Sequence, residues 1–216
     1  MKRLLTILLA LATLASCMDR EPFLYRVVTF GFTRSDGSLI ADDGIRYIFP
    51  STVKGDDWGD GRRVVAVIDV SEAVSENTYK ARLQQYTTPL FKDPVVLTDP
   101  EVPDTLGTED IAVGDVWYAG GCLNMMNVIK LVEGEGNGNH VINLMADMRN
   151  PVEDTIKFEV HHRSELDSSP TDFTYDYSFY SSFPVSSLMP GRDSVVVKVS
   201  WTWDGTPASV SGKVKI

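Results

Sequence analysis

Apolar and polar side chains alternate along most of this chain. In residues 78–84, Tyr79, Ala81 and Leu83 point one way and Lys80, Arg82 and Gln84 the other. In residues 154–162, Ile156, Phe158, Val160 and His162 oppose Thr155, Lys157, Glu159 and His161. The same period recurs in residues 173–179 (Phe173, Tyr175, Tyr177, Phe179) and 195–203 (Val195, Val197, Val199, Trp201, Trp203). A period of two with one polar face is the mark of half-buried antiparallel strands. Asp36-Gly37, Asp43-Gly44, Asp60-Gly61, the run 134–139 and Pro190-Gly191 supply turns between them. The pattern predicts an all-β protein.

Strands are predicted at 24–32, 45–50, 63–70, 78–86 and 94–97, with a helical turn at 71–76. A further seven are predicted at 115–118, 123–132, 140–148, 155–163, 173–179, 194–203 and 210–216. Alternation lapses between 92 and 114, where Pro94, Pro100 and Pro103 stand among six acidic residues. Such a stretch is stiff and solvated, which makes 93–113 a linker. The expectation is a small OB-like five-stranded barrel over 23–113, including that linker. An antiparallel β-sandwich of about seven strands follows over 114–216.

The first residues follow a different rule. Lys2 and Arg3 precede an apolar run, 4–15, whose twelve residues make about 18 Å of helix against a hydrocarbon core of about 30 Å. A charged start and a short apolar run read as a secretory signal. Leu14-Ala15-Ser16-Cys17 resembles the bacterial lipobox, in which the cysteine receives a diacylglyceryl group. The segments implied are a signal peptide at 1–16, a lipid-attached Cys17 and a tether over 17–22. The protein would then sit in the cell envelope, lipid-anchored to the outer membrane and facing the periplasm or the surface.

Charge narrows the partners. The 216 residues carry a net charge of −10, which becomes −12 once Lys2 and Arg3 leave with the signal. Both halves are acidic, so neither offers the clustered cations that nucleic acid requires. There are only two cysteines. With Cys17 lipidated, Cys122 has no intramolecular partner and reads as a small buried hydrophobe.

Several stretches resemble the NigD-like lipoprotein family: Gly114-Asp115-Val116-Trp117, Cys122-Leu123-Asn124-Met125 and His140-Val141-Ile142-Asn143-Leu144. So does Ile156-Lys157-Phe158-Glu159-Val160-His161-His162-Arg163 with Asp167 beyond it, and, more loosely, Asp43-Gly44, Phe49-Pro50 and Gly61-Arg62-Arg63-Val64. The resemblance implies a lipobox signal, an N-terminal OB-type barrel and a C-terminal β-sandwich. It also implies an association with bacteriocin immunity. The turn His162-Arg163-Ser164 departs from the His-Asn common in the family, so no role is carried onto it.

Candidate chemistry is sparse. His161 and His162 are strand neighbours facing opposite sides and cannot easily share a metal. His162 continues an apolar face and reads as a hydrogen-bonded core histidine, against a zinc site joining His140, one of the pair and Asp147. A separation of His140 and His162 beyond about 10 Å would count against any enzyme built on them. Gly55-Asp56-Asp57-Trp58-Gly59-Asp60-Gly61 begins like a calcium loop, but Trp58 and Val67 stand where two further ligands are needed. No Gly-x-Ser-x-Gly elbow, Walker loop or dinucleotide glycine fingerprint occurs. No catalytic residue, metal or cofactor is therefore assigned. Core packing accounts for most aromatics. Trp58, set in a loop between Asp57 and Gly59, is the exception, expected to be exposed and to contact a ligand. The expected function is a non-enzymatic, lipid-anchored envelope protein binding a protein or glycan partner, in one version a bacteriocin-immunity protein. The alternatives are an envelope carbohydrate hydrolase and a purely structural component.

Overall fold

The structure is a computed structural model that describes residues 24–50, 58–133, 139–152, 154–165 and 174–216. The signal, Cys17, the tether, and Asp56 and Asp57 of the calcium-like loop lie outside the described residues. Five strands close a barrel in the order β1 (Tyr25–Thr33), β2 (Leu39–Ala41), β3 (Arg46–Ile48), β5 (Thr78–Thr87), β4 (Arg63–Ser75). Antiparallel β1–β4 pairing and parallel β3–β5 pairing complete the circle. Leu39, Tyr47, Val64, Ala66, Ile68, Val70, Ala81 and Leu83 fill it. The first part of β4 is apolar at nearly every position because it is buried on both faces. Val64, Ala66, Ile68 and Val70 face the barrel, while Arg63 and Val65 on the opposite face are also buried.

Three expectations are corrected here. The helical turn at 71–76 is strand: β4 continues to Ser75 and turns at Glu76-Asn77, with Lys80 paired to Glu72 at 2.8 Å across the hairpin. Residues 94–97 do not close the barrel. The very short β6 (Leu90–Phe91) and β7 (Val95–Leu97) add to the sandwich instead, so the barrel ends at Thr87; residues 98–105 are exposed as a linker would be, between buried Leu97 and Leu106. Prolines suit such short, flanking strands as well as they suit linkers. Leu97 and Leu106 bury themselves against Met145 and hold the segment down.

The third correction concerns Trp58, which is only 8% exposed. Its indole packs edge-on against Phe49 and Tyr86, with centroids 5.6 and 5.1 Å away, and Nε1 donates to the Gly37 carbonyl at 3.2 Å. The polar neighbours stay at the surface while the ring folds into the barrel cluster. Its N–H is satisfied by the Asp36-Gly37 turn, so burial leaves no polar group stranded. Asp60, the remaining acid of the calcium-like loop, accepts from the Ser35 amide at 2.8 Å.

The second module packs two sheets face to face. One has the order β14 (Thr206–Lys215), β13 (Ser194–Trp203), β11 (Thr155–Ser164), β10 (His140–Val152), β7; the other β6, β12 (Thr174–Pro184), β9 (Cys122–Val132), β8 (Ala112–Ala119). The core between them includes Leu123, Met125, Ile129, Leu144, Phe158, Phe183 and Val199. Most pairings are antiparallel, but β11–β13, β10–β7 and β12–β6 run parallel.

The two modules meet around Arg63, whose side chain is fully buried. Its guanidinium grips the Asp42 carboxylate through both terminal nitrogens, Nη2–Oδ2 being 2.6 Å. Nε donates to Ser182 Oγ at 3.0 Å and Nη2 to Asn124 Oδ1 at 2.9 Å. The cation also lies 4.7 Å from the Phe32 centroid and 5.4 Å from that of Phe30. Gly120, at φ +60 in the β8–β9 hairpin, comes so close to Asp42 that any Cβ there would strike the carboxylate.

Arg63→Ala leaves the Asp42 carboxylate largely buried without its cation. It is expected to lower unfolding free energy by about 3–5 kcal/mol in a urea titration; a loss under about 1 kcal/mol would mean that Arg63 does not hold the buried junction together. Trp58→Ala is expected to cost about 3–5 kcal/mol in the same titration, as truncation of a buried aromatic does. An exposed contact residue would change stability by no more than about 0.5 kcal/mol.

Candidate binding cleft

The outer face of the β6–β12–β9–β8 sheet does not lie flat against the barrel. Along β1, outward-facing residues meet the sheet at one end and leave it at the other. Phe32, register partner of Arg63, packs on Phe91 with centroids 5.7 Å apart. Phe30 follows, edge-on to Trp117 at 5.0 Å and Tyr180 at 5.3 Å. Val28 comes next and has lost contact with the sheet: it is 63% exposed. The modules therefore form a wedge, closed at Arg63 and open past the Phe30–Trp117–Tyr180 trio.

A hollow lies on either side of that trio. One, of about 390 Å³, is lined by Val28, Thr29, Phe30, Asp42, Asp43 and Trp117. The other, of about 500 Å³, is bordered by Thr87, Pro89, Met126, Ser178 and Tyr180. Both fall in the size range of ligand pockets, and both pair aromatic surface with a few polar groups. Asp42 is held by Arg63, and Asp43 Oδ1 accepts from the Ile45 amide at 3.0 Å. Asp42 is thus built into the frame, while exposed Asp43 commits one oxygen to its own turn.

Trp58 forms no part of the cleft, whereas Trp117 lines it. Trp117 does pack, yet half-buried at a module boundary, and no local pattern marks that boundary. Cys122 is buried as expected, and burial pushes its thiol above the usual range while Arg63 draws it down less strongly.

The histidines lie elsewhere, at the edge of the sandwich. His161 and His162 point to opposite faces of β11, and each is pinned by a carbonyl of the strap at 107–110 that runs beside it. His161 Nδ1 is 3.0 Å from Gly107 O, and His162 Nδ1 is 2.8 Å from Asp110 O. His162 is a hydrogen-bonded core histidine, and burial holds it below its ordinary range. His140 and His162 are in contact at 2.8 Å, so the separation set against an enzyme is not found. Asp147 does not join them. It is seven positions from His140 on β10, on the other face, which puts it roughly 23 Å away. Both its oxygens take hydrogen bonds from Arg149, which hold its carboxyl down at about 2. Among the described residues no group of three His, Cys, Asp or Glu side chains is arranged to hold a metal ion.

Solved structures share this two-module arrangement. A protein of unknown function from Bacteroides vulgatus superposes with a TM-score of 0.71 at 16% identity, covering 89% of this chain and 92% of that one. A NigD-like immunity protein from Bacteroides caccae gives 0.62 at 19%, covering 88% and 97%. A candidate lipoprotein from Bacteroides fragilis gives 0.63 at 10%, covering 88% and 98%. At such identities the likeness establishes the fold. No curated protein matches the chain. The model of the NigD-like C-terminal β-sandwich domain matches residues 94–207, taking in β7, which the structure also assigns to the sandwich. That match spans more than half the chain, and the chain belongs to the NigD-like family.

Proposed function

We propose that the protein is a non-enzymatic, lipid-anchored component of the cell envelope that holds a partner protein or glycan in the cleft between its modules. The carrying observation is the open end of the wedge. Val28 and the half-buried Phe30, Trp117 and Tyr180 present apolar surface beside hollows large enough to take a side chain or a sugar ring. The engagement of Asp42 by Arg63 favours binding over hydrolysis, since it ties up one of the two carboxylates that a hydrolytic pair at this hollow would use. The immunity designation of the Bacteroides caccae relative supports one form of this role, in which the partner is a toxin intercepted at the membrane. The lipoprotein designation of the Bacteroides fragilis relative supports the anchor at Cys17.

A photo-crosslinking side chain at position 28 is expected to yield discrete adducts in the envelope, and one at Val210, exposed on β14, to yield none. Trp117→Ala should reduce the Val28 adducts at least tenfold. Equal labelling at both positions, or labelling indifferent to Trp117, would sink the cleft as the binding surface. For the anchor, Cys17→Ala should abolish incorporation of radiolabelled fatty acid; label persisting on that variant would remove the lipid tether.

A further inference from the structure

The hollow beside Val28 carries a negative charge that no described cation answers. The arginines of β1, β3 and β4 are all claimed. Arg63 of β4 is gripped by Asp42, Arg26 of β1 donates to the buried Asp69 at 2.6 and 2.9 Å, and Arg46 of β3 pairs with Asp36. Asp43 is left over. Its Oδ1 accepts from the Ile45 amide at 3.0 Å, and Oδ2 accepts from no described group. Among the described residues this exposed carboxylate forms no ion pair, and neither does exposed Asp115, two positions before Trp117 on β8.

The remaining walls are of opposite chemistry. Val28, 63% exposed, and half-buried Trp117 give the hollow an apolar side, with Phe30 edge-on to the indole at 5.0 Å. An occupant must therefore be apolar along its length and able to answer a carboxylate at its tip. It must also be a donor. Asp42 and Asp43 can only accept, and the Thr29 hydroxyl gives its proton to the Phe30 carbonyl at 3.1 Å. The Trp117 indole is left as the one side-chain donor among the lining residues. A sugar, whose hydroxyls both give and accept, finds acceptors in excess. A purely apolar side chain would cover the Asp43 carboxylate without replacing its water. Lysine and arginine meet all three conditions: an apolar stem, a positive tip, and donors with no acceptor. Their cations also favour aromatic faces, as Lys130 does over the Trp203 ring at 4.9 Å.

We propose that the hollow between β1 and β8 receives a basic side chain, lysine or arginine, from a polypeptide partner, its stem along Val28 and Trp117 and its charge at Asp43. This rests on the cleft serving as a binding surface, and it names the class of partner the cleft takes. Arg63, behind Phe30, does not repel such a guest because Asp42 offsets its charge. The chain's net charge of −10 acts in the same direction at longer range, drawing a basic segment towards the mouth.

Two small probes test the charge on the full chain in detergent micelles at low salt: N-acetyl-arginine amide and N-acetyl-citrulline amide, its neutral counterpart of the same shape. Spectra of the indole N–H groups report binding. The arginine probe should move the Trp117 signal and bind about threefold or more tightly than citrulline. That preference should vanish in Asp43→Asn, which retains an acceptor for the Ile45 amide and so keeps the turn. The Trp203 signal, whose ring Lys130 already covers, should stay in place. Equal binding of the two probes, no movement at Trp117, or equal movement at Trp203 overturns the proposal. Crosslinking separates the basic partner from the cleft itself. Adducts at position 28 should be digested by protease and should fall about fivefold or more in Asp43→Lys. Adducts that resist protease as glycan, or that ignore Asp43→Lys, overturn the basic partner and leave the cleft standing. Absence of any adduct at position 28 removes the cleft, and the partner with it.

Discussion

The arrangement of the two modules hangs on one buried cation. Arg63 has lost all contact with water, and five N–H groups on a planar fork must be answered from a low-dielectric interior. Asp42 answers from the barrel, Asn124 and Ser182 from the sandwich, and the Phe32 ring lies close to the guanidinium carbon. A hydrophobic side chain of the same volume could fill the space and contribute comparable stability, but it would not demand any particular partner opposite it. The remaining guanidinium donors are satisfied only when barrel and sheet stand in one register. Asn124 is fixed in turn by Ser182, at 2.6 Å, and by the carbonyls of Ala119 and Cys122 at 3.4 and 3.3 Å. Asp42 is buttressed by Gly120. Orientation thus comes from polar complementarity, and the aromatic residues fill in around it.

The strands were legible because a period of two survives wherever one face is wet. β5, β11 and β13 alternate cleanly and were found with nearly their observed limits. β2, three residues between two turns, offers too few positions for a period to show. β6 and β7 were misplaced or missed for a related reason: Pro89, Pro94 and the surrounding acids are compatible with both a linker and a pair of short strands. Only contacts distant in sequence, such as Leu97 and Leu106 on Met145, decide between them. The cleft was the least legible feature. Phe30 and Trp117 obey the same alternation as core residues because each faces the other module rather than water, and exposed Val28 continues the face of Phe30. Whether that second surface is close or splayed is a matter of tertiary angle. Trp58 erred in the opposite direction: loop neighbours describe where the backbone runs and say little about where a large ring folds back.

The histidines show what local pattern can and cannot carry. Opposite facing of His161 and His162 follows from strand geometry alone. Their common use, one on each side of β11 holding carbonyls of the same strap, requires knowing that residues 107–110 pass alongside. The same strap brings Glu109 Oε2 to 3.9 Å from His162 Nε2, although the acid stands 53 positions earlier in the chain.

Among the described residues the chain crosses from barrel to sandwich once, between Thr87 and Leu90. Among the described residues no second covalent passage laces the modules together, so side chains along the seam hold the angle of the wedge. Substitutions along the seam can open or narrow the mouth while both hydrophobic cores remain untouched, as a hinge can be reset without rebuilding either door. Breadth of recognition could diversify in such a scaffold without the loops that usually carry it, through a handful of positions flanking Arg63.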